Sequence, residues 1–213
     1  MKISIEFQSD LKNWQRLGFN VVDSVFQLGK IQMIINSDGE KKKNGDRIKI
    51  VVERDQQEKE EDLEDLELPL YFKKKSSYDS NQKIEGIIFE NLVSQIDHVV
   101  FIVKDLEAIK RRMEQLGIER RKELKFKNRT MNFYKFDSLI LELVQLAHII
   151  PEKNHFYGLA LESTDLEKTK HYFGDSSNPI KKAIQKNRFI LTLNKKFLEF
   201  PVVFLSSNNS SSI

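Results

Sequence analysis

Apolar and polar positions alternate in short runs along this chain, and the runs recur in a fixed order. In KISIEFQ, from Lys2, every second residue is apolar, the two-residue period of a strand with one buried face. That run leads into Asp10-Leu11, a short helical segment and Gly18. IDHVVFIV, from Ile96, leads likewise into Asp105-Leu106, a helical segment and Gly117, and FYGLALES, from Phe156, into Asp165-Leu166, a helical segment and Gly174. Each aspartate suits an N-cap, because its carboxylate can accept from the free amides of the first turn and favours the positive end of the helix dipole. Each glycine suits the left-handed residue that ends a helix. In the middle copy Leu106, Ile109, Met113 and Leu116 form one apolar stripe, which predicts a helix lying on a sheet with Arg111 and Arg112 facing water.

Behind each helix the spacing returns to strand. RRKELKF, RTMNFYKF and SLILELVQ follow Gly117; KKAIQK, NRFILTL and LEFPVVFL follow Gly174; NVVDSVFQL, KIQMIIN and RIKIVVER follow Gly18. Each copy therefore predicts a βαβββ unit, and the class is α+β. The expected division is a diverged N-terminal unit over 1–54, a charged linker or disordered loop over 55–84, paired units over 85–206 (96–146 and 155–206), and a disordered tail over 207–213. The linker assignment follows from its acids, lysines and Ser/Asn tract, with some helical character around Leu63 to Leu68. IEGIIFENL, after it, reads as an extra strand.

Composition narrows the partners. With 35 Lys and Arg against 32 Asp and Glu, the net charge of +3 is too small to indicate nucleic-acid binding. The basic run from Arg111 to Lys127 is interleaved with Glu114, Glu119 and Glu123 and reads as a solvated face. The absence of cysteine excludes disulfides and thiolate chemistry, leaving His and carboxylates as metal ligands. No signal-peptide pattern or long apolar run occurs, so the expectation is a cytoplasmic protein without membrane contact. No Gly-rich phosphate loop, Gly-x-Ser-x-Gly or His-Glu-x-x-His occurs, and no nucleotide cofactor is expected.

One histidine interrupts an apolar strand. By strand parity Ile96, His98, Val100 and Ile102 face away from the helix, opposite Val99, Phe101 and Val103; in SLILELVQ, Ile140, Glu142 and Val144 share one face. Tandem βαβββ units with such a His in the first strand and a Glu in the last resemble the vicinal oxygen chelate superfamily, which includes glyoxalase I, bleomycin-resistance proteins and extradiol dioxygenases. The resemblance rests on IDHVVFIVKDLE, NFYKFDSLILELVQ, FYGLALESTDLE and FPVVFLS. It implies tandem glyoxalase-like modules forming a cupped mixed sheet with helices on the outside.

It also implies that His98 and Glu142 meet on the concave face, as catalytic residues and as ligands of a divalent Zn, Fe, Mn, Ni or Co ion that would polarise a chelated substrate. Asn132, Tyr134 and Arg188 are expected on cup-lining strands as substrate-binding residues; the alternative is ordinary exposed strand positions. Phe133, Phe136, Phe156 and Tyr157 are read as pocket wall or core.

The metal set is short. The third copy has Gly158 where the second has His98, the first has Ile3, and FPVVFLS offers no carboxylate. A catalytic zinc usually keeps three protein ligands. His148, His155, Gln145 or a second copy of the chain in a homodimer could supply the rest. The plainer reading is a satisfied buried His, with Glu142 paired to Arg129, to a lysine or to His98 itself; a metal-free His–Glu general base is a further one. Three functions stay open: a metal-dependent lyase, isomerase or dioxygenase; a non-catalytic protein that sequesters a small hydrophobic or cationic ligand, as bleomycin-resistance proteins do; and a scaffold whose acidic linker recruits a partner.

Overall fold

The computed structural model describes residues 1–37, 47–54, 61–74, 89–194 and 197–207. The second and third copies fold as expected. Strand β7 (Val93–Ile102), helix α2 (Leu106–Gln115) and strands β8 (Arg120–Phe126), β9 (Arg129–Phe136) and β10 (Leu139–Leu146) form one unit. Strand β11 (His155–Ser163), helix α3 (Leu166–Phe173) and strands β12 (Lys181–Lys182), β13 (Phe189–Thr192) and β14 (Val202–Ser206) form the other. They share an eight-stranded mixed sheet, β12-β13-β14-β11-β7-β10-β9-β8. The first strands, β7 and β11, run antiparallel at its centre, and each is flanked by its own unit's last strand, running parallel to it.

The local signals act as the sequence predicts. Asp105 accepts from the amides of Glu107 and Ala108 at 2.9 Å, and Asp165 from that of Lys168 at 3.1 Å. Leu106, Ile109 and Met113 are buried under α2, and Gly117 takes the left-handed turn at φ 67°.

The N-terminal part departs from the expected single βαβββ unit. Strand β1 (Lys2–Gln8), helix α1 (Leu11–Arg16), β2 (Val25–Leu28) and β3 (Ile31–Asn36) form a three-stranded copy with β3 parallel to β1. Strand β4 (Ile48–Arg54) is not its last strand. It lies antiparallel on the other side of β1 and heads a further short copy with β5 (Glu61–Leu63) and β6 (Leu68–Lys74), in the order β2-β3-β1-β4-β6-β5. This sheet thus repeats, with six strands, the plan of the larger one.

The expected linker over 55–84 is corrected by the same strands. Leu63, Leu68, Leu70 and Phe72 bury their side chains in the core, which outweighs the polarity of the residues around them. The anticipated helical character at Leu63 to Leu68 is a single 3-10 turn, Glu64–Leu66. Residues 55–60 and 75–88, with most of IEGIIFENL, lie outside the described residues, as does 208–213 of the tail.

One continuous core joins the two sheets. Phe7 of β1, Phe156 of β11 and Phe200 pack ring to ring at 4.8 to 5.9 Å, and Phe72 of β6 meets Phe136 of β9 at 5.9 Å. Phe136 points to the helix side of the large sheet, so helices and the small sheet cover that face. The opposite face stays open as a cup.

Candidate functional site

The open face encloses a cavity of about 580 Å³. Val100, Ile102, Val144, Val203, Leu205 and Phe133 are among its apolar lining, and His98 and Glu142 are its buried polar pair. Both faces of the parity argument hold here: Ile140 pairs with His98 and Glu142 with Val100 across β10 and β7. This register brings His98 Nε2 to 3.0 Å from Glu142 Oε2, which it approaches as a donor. Ile96, expected beside His98, is instead part of the core.

The other imidazole nitrogen is also engaged. Nδ1 donates to Asp97 Oδ1 at 2.7 Å. Asp97 is in turn bound by Arg188 Nη1, whose Nη2 reaches Glu162 Oε2 at 3.5 Å and whose Nε donates to the Ser206 carbonyl at 2.9 Å. Arg188 and Asp97 are nearly sealed from solvent, with side chains 6% and 8% exposed. A buried chain of charges therefore runs Glu142–His98–Asp97–Arg188–Glu162.

Its electrostatics are self-consistent. Burial alone would lower the His98 pKa, but hydrogen bonds to Asp97 and Glu142, together with their charges, outweigh burial and hold it at about 9. Burial would likewise raise that of Asp97, and the hydrogen bonds and charges of His98 and Arg188 overcome it and hold it below its ordinary value. The imidazole is thus a cation at neutral pH with a carboxylate on each side.

In this arrangement both ring nitrogens of His98 are taken up by carboxylates. The neighbouring unit does not compensate. Ala160 is the cross-strand partner of His98, and Val203 and Leu205 line the cup on β14. The Gly158 position has no room for a ligand, since a Cβ there would sit 2.5 Å from the Pro201 carbonyl oxygen. Of the other candidates, His155 lines the cup, Gln145 is turned to the Lys104 carbonyl at 2.8 Å, and His148 is exposed and away from the cavity lining. Among the described residues no three or more His, Asp or Glu side chains are grouped to hold a metal ion. The donor set does not fit the divalent ion that the resemblance implied for His98 and Glu142.

Asn132 and Tyr134 also stand elsewhere than expected. Phe133 is the residue opposite Glu142, so the cup side of β9 carries Arg129, Met131 and Phe133, and the alternate residues turn inward. Tyr134 is 1% exposed in the core, where burial pushes its hydroxyl up to about 12, and Asn132 accepts from Arg120 at 3.4 Å. Arg188 anchors the buried charges and does not line the cavity. Of the aromatic residues, Phe133 and Tyr157 line the cup while Phe136 and Phe156 belong to or pack on the core.

Asp97 was the residue sequence reasoning missed. Between β7 and β11 the register shifts so that Ala160 faces His98 and Leu161 faces Ile96, leaving Asp97 unpaired as a bulge. Strict alternation would have turned it away from His98.

No protein-family model matches this chain, and no curated protein matches it in sequence. Solved structures do match its shape. A mutant 4-hydroxymandelate synthase from Streptomyces coelicolor covers 100% of this chain and 93% of its own, with a TM-score of 0.58 at 8% identity. A catechol 2,3-dioxygenase covers 97% of this chain and 86% of its own, with a TM-score of 0.57 at 14% identity. A 2,2',3-trihydroxybiphenyl 1,2-dioxygenase from Sphingomonas wittichii covers 97% and 89%, with a TM-score of 0.54 at 12% identity. The fold of this chain is the vicinal oxygen chelate fold, with both sheets included. No helix among the described residues is long and apolar enough to cross a membrane.

Proposed function

We propose that this protein is a small-molecule-binding member of the vicinal oxygen chelate fold, holding an apolar ligand in the cup without a bound metal. The supporting observation is the combination of a large apolar cavity with a histidine whose two nitrogens are both committed to carboxylates. A cavity of this size and lining suits a drug-sized apolar molecule. The buried charges then give the cup a rigid polar base, since each member is held by its neighbours. The lack of cysteine is in keeping with work in the reducing cytoplasm.

The test combines dye binding with metal analysis. The purified protein should bind a neutral apolar dye such as Nile red, and Val203→Trp, which fills the cup, should abolish this without lowering the melting temperature. Metal content should be far below one per chain. A metal-dependent lyase, isomerase or dioxygenase is the second reading, supported by the 3.0 Å approach of His98 to Glu142 on the concave face. It requires stoichiometric metal that is lost in both His98→Ala and Glu142→Ala, and that result would displace the first.

A further inference from the structure

The polar lining of the cup includes His98, His155, Tyr157 and Gln185, and two charged groups, Glu142 and Arg129, lie at opposite ends of one strand pair. Along β9 and β10 three successive rungs face the cavity: Phe133 opposite Glu142, Met131 opposite Val144, and Arg129 opposite Leu146. Four residues of strand separate the first rung from the last, about 13 Å at the usual rise per residue. Between them the wall is hydrocarbon and thioether. One end therefore offers a carboxylate, the other a guanidinium, and the middle offers only apolar contact.

Both polar groups have unused capacity toward the cavity. Glu142 Oε2 accepts from His98, whereas Oε1 has no hydrogen-bond partner among the described residues. Arg129 is partly buried, stands 5.2 Å from the Phe126 ring, and has no acidic partner among the described residues. The loop beside it starts at the Ala147 amide, which donates to the Asn128 carbonyl at 2.9 Å, and carries Ile149, a cup-lining residue that is 64% exposed. An amphiphile could enter past Ile149 and leave its charged head near water. A partly desolvated guanidinium beside an apolar wall favours a planar anion that takes two of its N–H donors.

We infer that the cup takes an elongated apolar carboxylic acid, its carboxylate on Arg129 and a hydroxyl at its far end donating to Glu142. This rests on the proposed role of the cup as a small-molecule site and specifies the ligand class. A single guanidinium matches a singly charged carboxylate better than a phosphate monoester.

Calorimetric titration of the full-length protein with decanoate, decanol, decyl phosphate and ω-hydroxydecanoate tests it. Decanoate should bind roughly tenfold more tightly than decanol, the scale of one charge-assisted contact. Arg129→Gln should remove that advantage while leaving decanol binding unchanged. ω-Hydroxydecanoate should bind more tightly than decanoate in the wild type and equally in Glu142→Leu, which has no hydrogen-bonding group, with Nile red binding retained as the check that the cup is intact. Decanol equal to decanoate, an Arg129→Gln variant that weakens both alike, or decyl phosphate binding best would overturn the carboxylate assignment while the cup remains a ligand site. An ω-hydroxyl that adds nothing would overturn the part given to Glu142. Failure of every probe and of Nile red would remove the cup reading itself.

Discussion

His98 and Asp97 are chain neighbours on a strand, yet their side chains meet, with Nδ1 2.7 Å from the carboxylate. Adjacent residues on a regular strand point to opposite faces. The bulge at Asp97 removes that alternation at one position, and the histidine becomes the middle of a carboxylate–imidazolium–carboxylate sandwich. Its stability and its pH response both follow from this arrangement.

Replacing His98 by Ala leaves two buried carboxylates, of which only Asp97 retains a cationic partner. The expected cost is roughly 3–5 kcal/mol in urea unfolding, the range for breaking a buried pair from one side. Glu142→Gln keeps the hydrogen bond and should cost distinctly less. Equal losses in the two variants would show that packing, and not charge, holds this site.

The pH profile has a definite sign. His98 is raised from its ordinary 6.5 to about 9, so its contribution is full below about 6.5 and is lost as pH climbs through about 9. A shift of this size corresponds to roughly 3 kcal/mol. Asp97 lies below its ordinary 3.8, so its contribution is present above about pH 4 and lost on further acidification. Stability should peak between these limits, and His98→Gln should flatten the alkaline side. Nitrogen NMR of the ring at pH 7 should find protons on both nitrogens; a neutral tautomer there would contradict the charge assignment.

Arg188→Leu should destabilise by roughly 3–5 kcal/mol, because Asp97 and Glu162 lose their common cation in a buried setting. Adding Asp97→Asn should recover part of the loss, and a double-mutant cycle in urea measures how much. Strict additivity would deny their coupling.

Gly158→Ala places a methyl group 2.5 Å from the Pro201 carbonyl oxygen, at a backbone that cannot yield easily because the Leu159 amide donates to that same oxygen at 3.0 Å. Overpacking of this kind should cost about 1–3 kcal/mol. Thermal melts would detect it, and an unchanged melting temperature would mean that β14 can shift.

Much of this molecule can be read from local rules. The caps at Asp105 and Asp165 and the stripe on α2 follow from local sequence alone, whereas the shared face of His98 and Glu142 was implied by the family resemblance, because strand period fixes a face only within each strand. The rest depends on registers between distant strands. Asn132 and Tyr134 lie inward because Phe133, not either neighbour, falls opposite Glu142. The place of β4 is decided by pairing with β1 and β6, which its own apolar run cannot specify. β5 and β6 were hidden among charged residues whose few leucines and phenylalanines nevertheless reach the core. The bulge at Asp97 breaks the alternation that the reading assumed, so its carboxylate went unnoticed beside the histidine.

Arg188 and Asp97 stand 91 positions apart, in different copies of the repeat. Neither copy could be swapped for its sibling, or recombined into another gene, without leaving a charge stranded inside. The two halves of the large sheet are thereby bound to a shared fate, since substituting either residue alone strands the charge of the other.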